Sequence, residues 1–397
     1  MIQQIRIDNF KSLVDFEIRL APFTCLVGLN GSGKSTVLQA LDFISQQMRG
    51  ELGEWLVLRQ WDKRDIGSRL TAKKNIDLFV QVELPGCDLI EWSASFNRQS
   101  LRCTSEEVFH DGIRLLKVED AECWLTYGGD AGLRTRKIDV IFEYQGSILS
   151  QLKSNQICEI LQVLKEEIAS IRSLDLLSPE YLRQRTRESA GYLGLGGQKL
   201  SAYLHELGSE ERERLLDQLQ KVYPRLTDID TRSLRSGWKQ LDIAERFAGK
   251  ILKTPARHVN DGMLRLLAVL SQLSSDEHFL LFDEIENGIN PELVEFLVDA
   301  LVASDHQVLV TTHSPVILNY LEDDIAKKGV IYLYKKSDGA TQAIRLFEIP
   351  SLAEKLRFMG PGEAFIDTQL TELDKEIQTL QLLWVSQEGK DASVAER

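Results

Sequence analysis

Residues Gly28-Leu29-Asn30-Gly31-Ser32-Gly33-Lys34-Ser35-Thr36 constrain this chain more than any other stretch. Their spacing is G-x-x-x-x-G-K-[ST], with an apolar run from Phe23 to Val27 before it and a helical pattern from about Lys34 to Met48 after it. A strand that turns through glycines into a helix lets successive backbone N–H groups converge on phosphate oxygens, aided by the positive end of the helix. The arrangement predicts an α/β fold and a nucleotide cradle made by Asn30, Gly31, Ser32, Gly33, Lys34, Ser35 and Thr36. Lys34 is expected to reach the β- and γ-phosphates, and the Ser35 hydroxyl to ligate Mg2+.

A second apolar run, Phe279 to Phe282, ends in Asp283-Glu284. Open α/β sheets bind ligands at the carboxyl ends of their strands, so both carboxylates are expected at the phosphate site. Asp283 suits Mg2+, and Glu284 is placed to polarise an attacking water. Glu286-Asn-Gly-Ile-Asn-Pro291 reads as a turn, and a third apolar strand, Val308 to Thr312, delivers His313 at its end. Upstream, Asn260-Asp261-Gly262 opens an apolar helix, with the asparagine at the capping position.

Alternating apolar residues predict antiparallel strands at 76–84 and 90–96, with more over 113–144. Helical spacing of Ile148, Leu152, Ile160, Leu164, Ile168 and Ile171, then of Leu200, Tyr203, Leu204 and Leu207, predicts a mainly helical insertion. The division expected is 1–147 for the first half of an α/β body, 148–255 for the helical insertion, 256–350 for the second half and 351–397 for a helical tail.

Order and spacing together resemble an ABC-type ATPase of the SMC/RecF/OLD-like branch. The motifs are a phosphate loop at 28–35, a signature-like loop at 259–263, an acidic strand at 279–284, a D-loop-like turn at 288–291 and a switch histidine at 313. Ile7-Asp-Asn-Phe-Lys-Ser12 before the first loop, and Thr312-His-Ser-Pro-Val-Ile317, point the same way. The resemblance implies an ATPase head with a mixed sheet, an antiparallel N-terminal β-subdomain, a helical insertion and a short C-terminal helix. It implies ATP and Mg2+ as cofactors and two heads closing face to face. Asn260, Asp261 and Gly262 would then contact the γ-phosphate across that homodimer, with Asn260 standing where the signature usually has serine. Glu284 would orient water, His313 would sense the γ-phosphate, and Lys11 and Ser12 would lie near the base or ribose. Gln60 is the candidate Q-loop ligand to the metal.

Charge bears on what such a head drives. With 47 basic and 60 acidic residues the net charge is −13, so duplex nucleic acid can be met only through a local patch. Arg183, Arg185 and Arg187 are the candidate patch. Five scattered cysteines, the lack of a signal-peptide pattern and the lack of a long apolar run predict a cytoplasmic protein without a membrane span. No toprim-like nuclease half is expected in the 84 residues after His313, so the predicted role is control of a separate effector, a nuclease or toxin, in a bacterial defence system. The alternative is a RecF-like repair ATPase that binds DNA directly. Ile366, Leu370, Leu373, Ile377, Leu380 and Trp384 form a short heptad seam, fit equally for packing on the protein's own core or for a partner helix.

Overall fold

The computed structural model describes residues 1–380, apart from residues 85, 87, 120, 130, 131, 190, 370, 371 and 374. Its centre is a six-stranded sheet in the order Ile171–Leu174, Phe279–Phe282, Gln307–Thr311, Phe23–Val27, Val330–Lys335, Thr341–Arg345. The first five strands run parallel, and the last pairs antiparallel with Val330–Lys335. Parallel strands buried on both faces carry near-continuous apolar sequence, which is what Phe279–Phe282 and Phe23–Val27 show. Side chains alternate between faces. Leu26, Leu281 and Leu309 belong to one apolar core, while Cys25, Val27, Leu280, Phe282, Val308 and Val310 belong to the other.

The first core is shared with an eight-stranded antiparallel sheet. Its strands run in the order Phe16–Arg19, Ile2–Asp8, Asn75–Glu83, Leu89–Asn97, Arg102–His110, Ile113–Glu119, Glu122–Gly129 and Gly132–Asp139. Period-two burial of Ile76, Leu78, Val80 and Val82, and of Ile90, Trp92, Ala94 and Phe96, faces the helix Lys34–Arg49. That helix brings Val37, Leu38, Leu41 and Ile44 into the same core and stops at Gly50, whose left-handed backbone donates to Gln46 O. The expected antiparallel N-terminal subdomain and the parallel strands are therefore present in one α/β architecture.

The segment 148–255 departs from its expected helical character. It contains helices Glu159–Ala169, Leu200–Glu206 and Ser209–Gln220, but also the edge strand Ile171–Leu174 and a three-stranded antiparallel sheet. That sheet has the order Leu226–Ser233, Lys239–Phe247, Lys250–Pro255. Ile171 keeps a helical step from Ile168, so a four-residue strand directly after the helix shows no alternation of its own. The segment thus contributes one strand to the central sheet and forms a small sheet of its own. In the tail, Leu373 and Ile377 are buried in the second core, and Ile366 is exposed. Leu373, Ile377 and in part Leu380 of the heptad seam thus pack on the protein itself, and Ile366 does not; Leu370 and Trp384 lie outside the described residues. Among the described residues no helix is long and apolar enough to cross a membrane.

Candidate nucleotide-binding site

The carboxyl ends of three adjacent central strands carry the site. Phe23–Val27 leads into the glycine loop, Phe279–Phe282 into Asp283-Glu284, and Gln307–Thr311 into Thr312-His313. A cavity of about 360 Å3 opens there, lined by Ser12, Asn30, Gly31, Gly33, Lys34, Ser35, Thr36, Glu284 and His313. Two glycines are required by close approach: a Cβ on Gly28 would lie 2.4 Å from Leu333 O, and one on Gly33 2.5 Å from the Thr341 hydroxyl. Gly28 and Gly33 also hold φ of +148° and +113°.

Lys34 begins its helix almost fully buried, with Nζ donating to Gly28 O at 2.8 Å. Burial lowers its pKa against the opposing pull of Asp283, Glu284 and Glu286. Next to it, Ser35 Oγ donates to Asp283 Oδ2 at 2.9 Å. Burial pushes the Asp283 carboxyl up, while hydrogen bonds from Thr311 and Ser35 restrain it. A hydroxyl and a carboxylate already in contact suit a small hard cation that keeps several waters and takes phosphate oxygens as its remaining ligands. No cluster of three or more His, Cys, Asp or Glu side chains forms a cage among the described residues. It is the Ser35–Asp283 pair whose donors fit Mg2+ arriving with a nucleotide.

Glu284 sits at φ +47°, a left-handed conformation that costs a non-glycine residue energy and recurs at functional turns. Its N–H donates to Thr311 Oγ1 at 2.9 Å, and Thr311 in turn donates to Asp283. The Glu284 carboxylate lies 3.2 Å from His313 Nε2 and accepts from Asn287 Nδ2 at 3.1 Å. Sequence reasoning did not single out the groups that hold this turn. Arg265, buried on the helix Asp261–Gln272, donates to both Asp283 O and Glu284 O, at 2.9 and 3.0 Å. Glu286 accepts from Thr312 Oγ1 and from the N–H groups of His313 and Ser314. The spacing Asp283-Glu284-x-Glu286 was the only signal for it in the sequence.

Several expected residues are elsewhere. Ser32 is turned inward, its N–H donating to Leu29 O and its carbonyl accepting from Thr341 Oγ1. Lys11 does not line the cavity: its ammonium lies 3.3 Å from the centroid of the Trp61 ring and donates to Gln39 Oε1 at 2.8 Å. Burial and the nearby Arg59 lower its pKa to about 8. Gln60 is exposed at φ +57° and does not line the cavity either; the inward groups on that loop are Arg59 and Trp61. Asn260 accepts from Met263 N at 2.8 Å as a helix cap, and Asp261 pairs with Arg183. None of Asn260, Asp261 and Gly262 lines the cavity.

In the Arg183–Arg187 stretch Arg183 is paired with Asp261, Arg187 lies over the Trp238 ring, 5.3 Å from its centroid, and Arg185 is exposed. A different cavity, of about 590 Å3, is lined by Lys63, Arg64, Lys74 and Arg98 with Asp62, Asn97 and Gln99.

Two solved structures share this architecture. A crystal structure of an SMC head bound to the C-terminal winged-helix domain of ScpA matches at TM-score 0.54, with 16% identity, over 87% of this chain and 99% of that one. An SMC head domain with an extended coiled coil, bound to the C-terminal domain of ScpA derived from Pyrococcus furiosus, matches at TM-score 0.50, with 15% identity, over 90% and 99%. The fold is that of an SMC-type ATPase head. Family comparisons agree: a model described as an AAA ATPase domain matches residues 1–177 of the head. A second, described as an AAA domain, putative AbiEii toxin, Type IV TA system, matches residues 164–319. An OLD nuclease of Thermus scotoductus is 41% identical over 44 residues, 11% of this head and only 8% of that protein. The likeness to SMC heads thus extends over the architecture, and that to an OLD nuclease over 44 residues.

Proposed function

We propose that the head binds ATP with Mg2+ in the cavity between the glycine loop and Glu284, and hydrolyses it to ADP and phosphate. The observation that carries this reading is the Glu284–His313 pair, 3.2 Å apart, which shares a cavity with Lys34 and Ser35. A water placed beside the Glu284 carboxylate attacks the γ-phosphorus in line, its proton passing to the carboxylate as the bond to the β–γ bridging oxygen breaks. Lys34 exchanges its carbonyl partners for phosphate oxygens, and His313 donates to the γ-phosphate. Ser35 and Asp283 would hold Mg2+, which when bound would neutralise phosphate charge.

In this reading two copies close face to face. Support comes from the signature-like loop, which is exposed at Asn260 and Asp261 and contributes nothing to the cavity of its own chain. The biological role proposed is control of a separate nuclease or toxin in a bacterial defence system. Its support is the description of the family matched at 164–319 and the short segment shared with an OLD nuclease. The decisive experiment is Glu284→Gln. It is expected to retain ATP binding, to accumulate an ATP-dependent dimer in sedimentation, and to lose hydrolysis by about 100-fold or more. Hydrolysis near the wild-type rate would remove Glu284 from the mechanism.

A second reading, direct binding of DNA by the head, is favoured by the basic cavity of Lys63, Arg64, Lys74 and Arg98 on an otherwise acidic protein.

A further inference from the structure

Arg183 ends the short helix Pro179–Leu182, and its guanidinium donates both to Val259 O, at 2.8 Å, and to the Asp261 carboxylate. It therefore grips the signature-like loop at two points, one on either side of Asn260. The same segment is held from below, since Arg265 of the signature helix donates to Leu177 O at 3.5 Å while also binding the carbonyls of Asp283 and Glu284. On the other flank, Gly262 packs so close to the D-loop-like turn that a Cβ there would meet Gly288 O at 2.7 Å.

The charge on this loop is unsuited to the role the two-head reading gives it. A loop that must face a triphosphate carries a carboxylate, Asp261, whose side chain is half exposed. Asn260 carries no charge to cancel it: its side-chain oxygen caps Met263 N, which leaves only neutral amide N–H groups to donate. Like charges a few ångströms apart repel strongly once water is expelled from between them. Arg183 is the cation in place to cancel that charge.

We infer that Arg183 is the positioning residue of the signature-like loop: it neutralises Asp261 and fixes the loop so that a second copy's nucleotide phosphates can dock on it. The inference rests on the two-head reading. It gives the arginine a role in assembly of the composite site, not in holding nucleotide in its own chain and not in binding nucleic acid.

The test is a charge-rescue cycle on the full chain, read as ATP-dependent dimerisation in sedimentation and as hydrolysis against protein concentration. Arg183→Gln is expected to raise the protein concentration for half-maximal activity at least about tenfold, with ATP affinity of the isolated head within about twofold of wild type. Arg183→Lys, which keeps the charge, is expected to fall between the two. Adding Asp261→Asn to Arg183→Gln is expected to recover most of the loss, because no carboxylate then needs cancelling. A double variant as defective as Arg183→Gln, with both melting as wild type does, overturns the inference while leaving the two-head reading intact. The same holds if Arg183→Lys is no better than Arg183→Gln. A wild type that stays monomeric with ATP at every concentration overturns the two-head reading, and the inference with it.

Discussion

Glu284 and Glu106 are both carboxylates presented by strands, and their surroundings give them different duties. Glu284 is exposed to the cavity and held by Asn287 and His313. Glu106 is fully buried in the antiparallel sheet, accepting from Ser147 Oγ at 2.5 Å, Ile148 N at 2.7 Å and Trp92 Nε1 at 3.2 Å. Burial pushes its carboxyl up from 4.5 to about 7, and those three donors keep it from rising further. The folded protein therefore holds the proton more tightly than the unfolded chain. The stability gained is fully present below about pH 4.5 and is lost as pH rises through about 7. Glu106→Gln is expected to flatten the decline in stability between about pH 5 and 8, measured by urea unfolding at several pH values. Parallel stability curves for the two proteins would show that Glu106 does not titrate in this window. Nothing in the sequence marked this residue, because Glu106-Glu107 on a hairpin looks like ordinary solvent-facing charge. Which of the two faces inward depends on the strand's register, and a bulge shifts that register at Ser95/Phe96 of the neighbouring strand.

At the scale of elements, the helix Leu52–Leu58 and the strand Ile171–Leu174 are joined by charge as well as by apolar packing. The Arg59 guanidinium lies between Asp42, on the glycine-loop helix, at 2.6 Å and Asp175, just past the strand, at 2.9 Å. All three side chains are at most 4% exposed. Removing one partner of such a group leaves uncompensated charge in the interior, typically costing about 3–5 kcal/mol. Arg59→Leu is expected to destabilise the protein by that amount in denaturant titrations. Replacing all three with apolar residues of similar volume should recover much of it. The long elements were legible because burial marked them: a period in the helix after the glycine loop and in the strands at 76–97, and an unbroken apolar run in the three strands delivering Asp283, His313 and the loop itself. Arg59-Gln60-Trp61 was not, since a loop after a two-turn helix has no period to say which residue turns inward. That is why Gln60 drew notice for its chemistry while its neighbours make the interactions.

Over the whole molecule, the charge of −13 is unevenly spread, and the cations lining the cavity at Lys63, Arg64, Lys74 and Arg98 face a single acid, Asp62. If the head binds duplex DNA by itself, binding should be salt-dependent, and Arg64→Glu with Lys74→Glu should weaken it about tenfold or more. The slope of log affinity against log salt should fall by about 2, near one for each phosphate that is no longer neutralised. No duplex binding by the purified head, with or without ATP, would leave effector control as the sole reading. Of the arginines at 183–187, the fold commits Arg183 to Asp261. Sequence order hid that pairing across the 78 residues that separate them.

The strand Phe23–Val27 lies between Gln307–Thr311 and Val330–Lys335, so the glycine loop it carries gains its flanking strands only after residues 307–335 have been made. At translation rates of about 5–20 residues per second, the 280 residues between Val27 and Gln307 take roughly 15–60 s to emerge. Through the later part of that interval the nascent chain holds every strand of the antiparallel sheet but not the strand that carries His313. The proposed nucleotide site is thus completed only after Gln307–Thr311 has emerged.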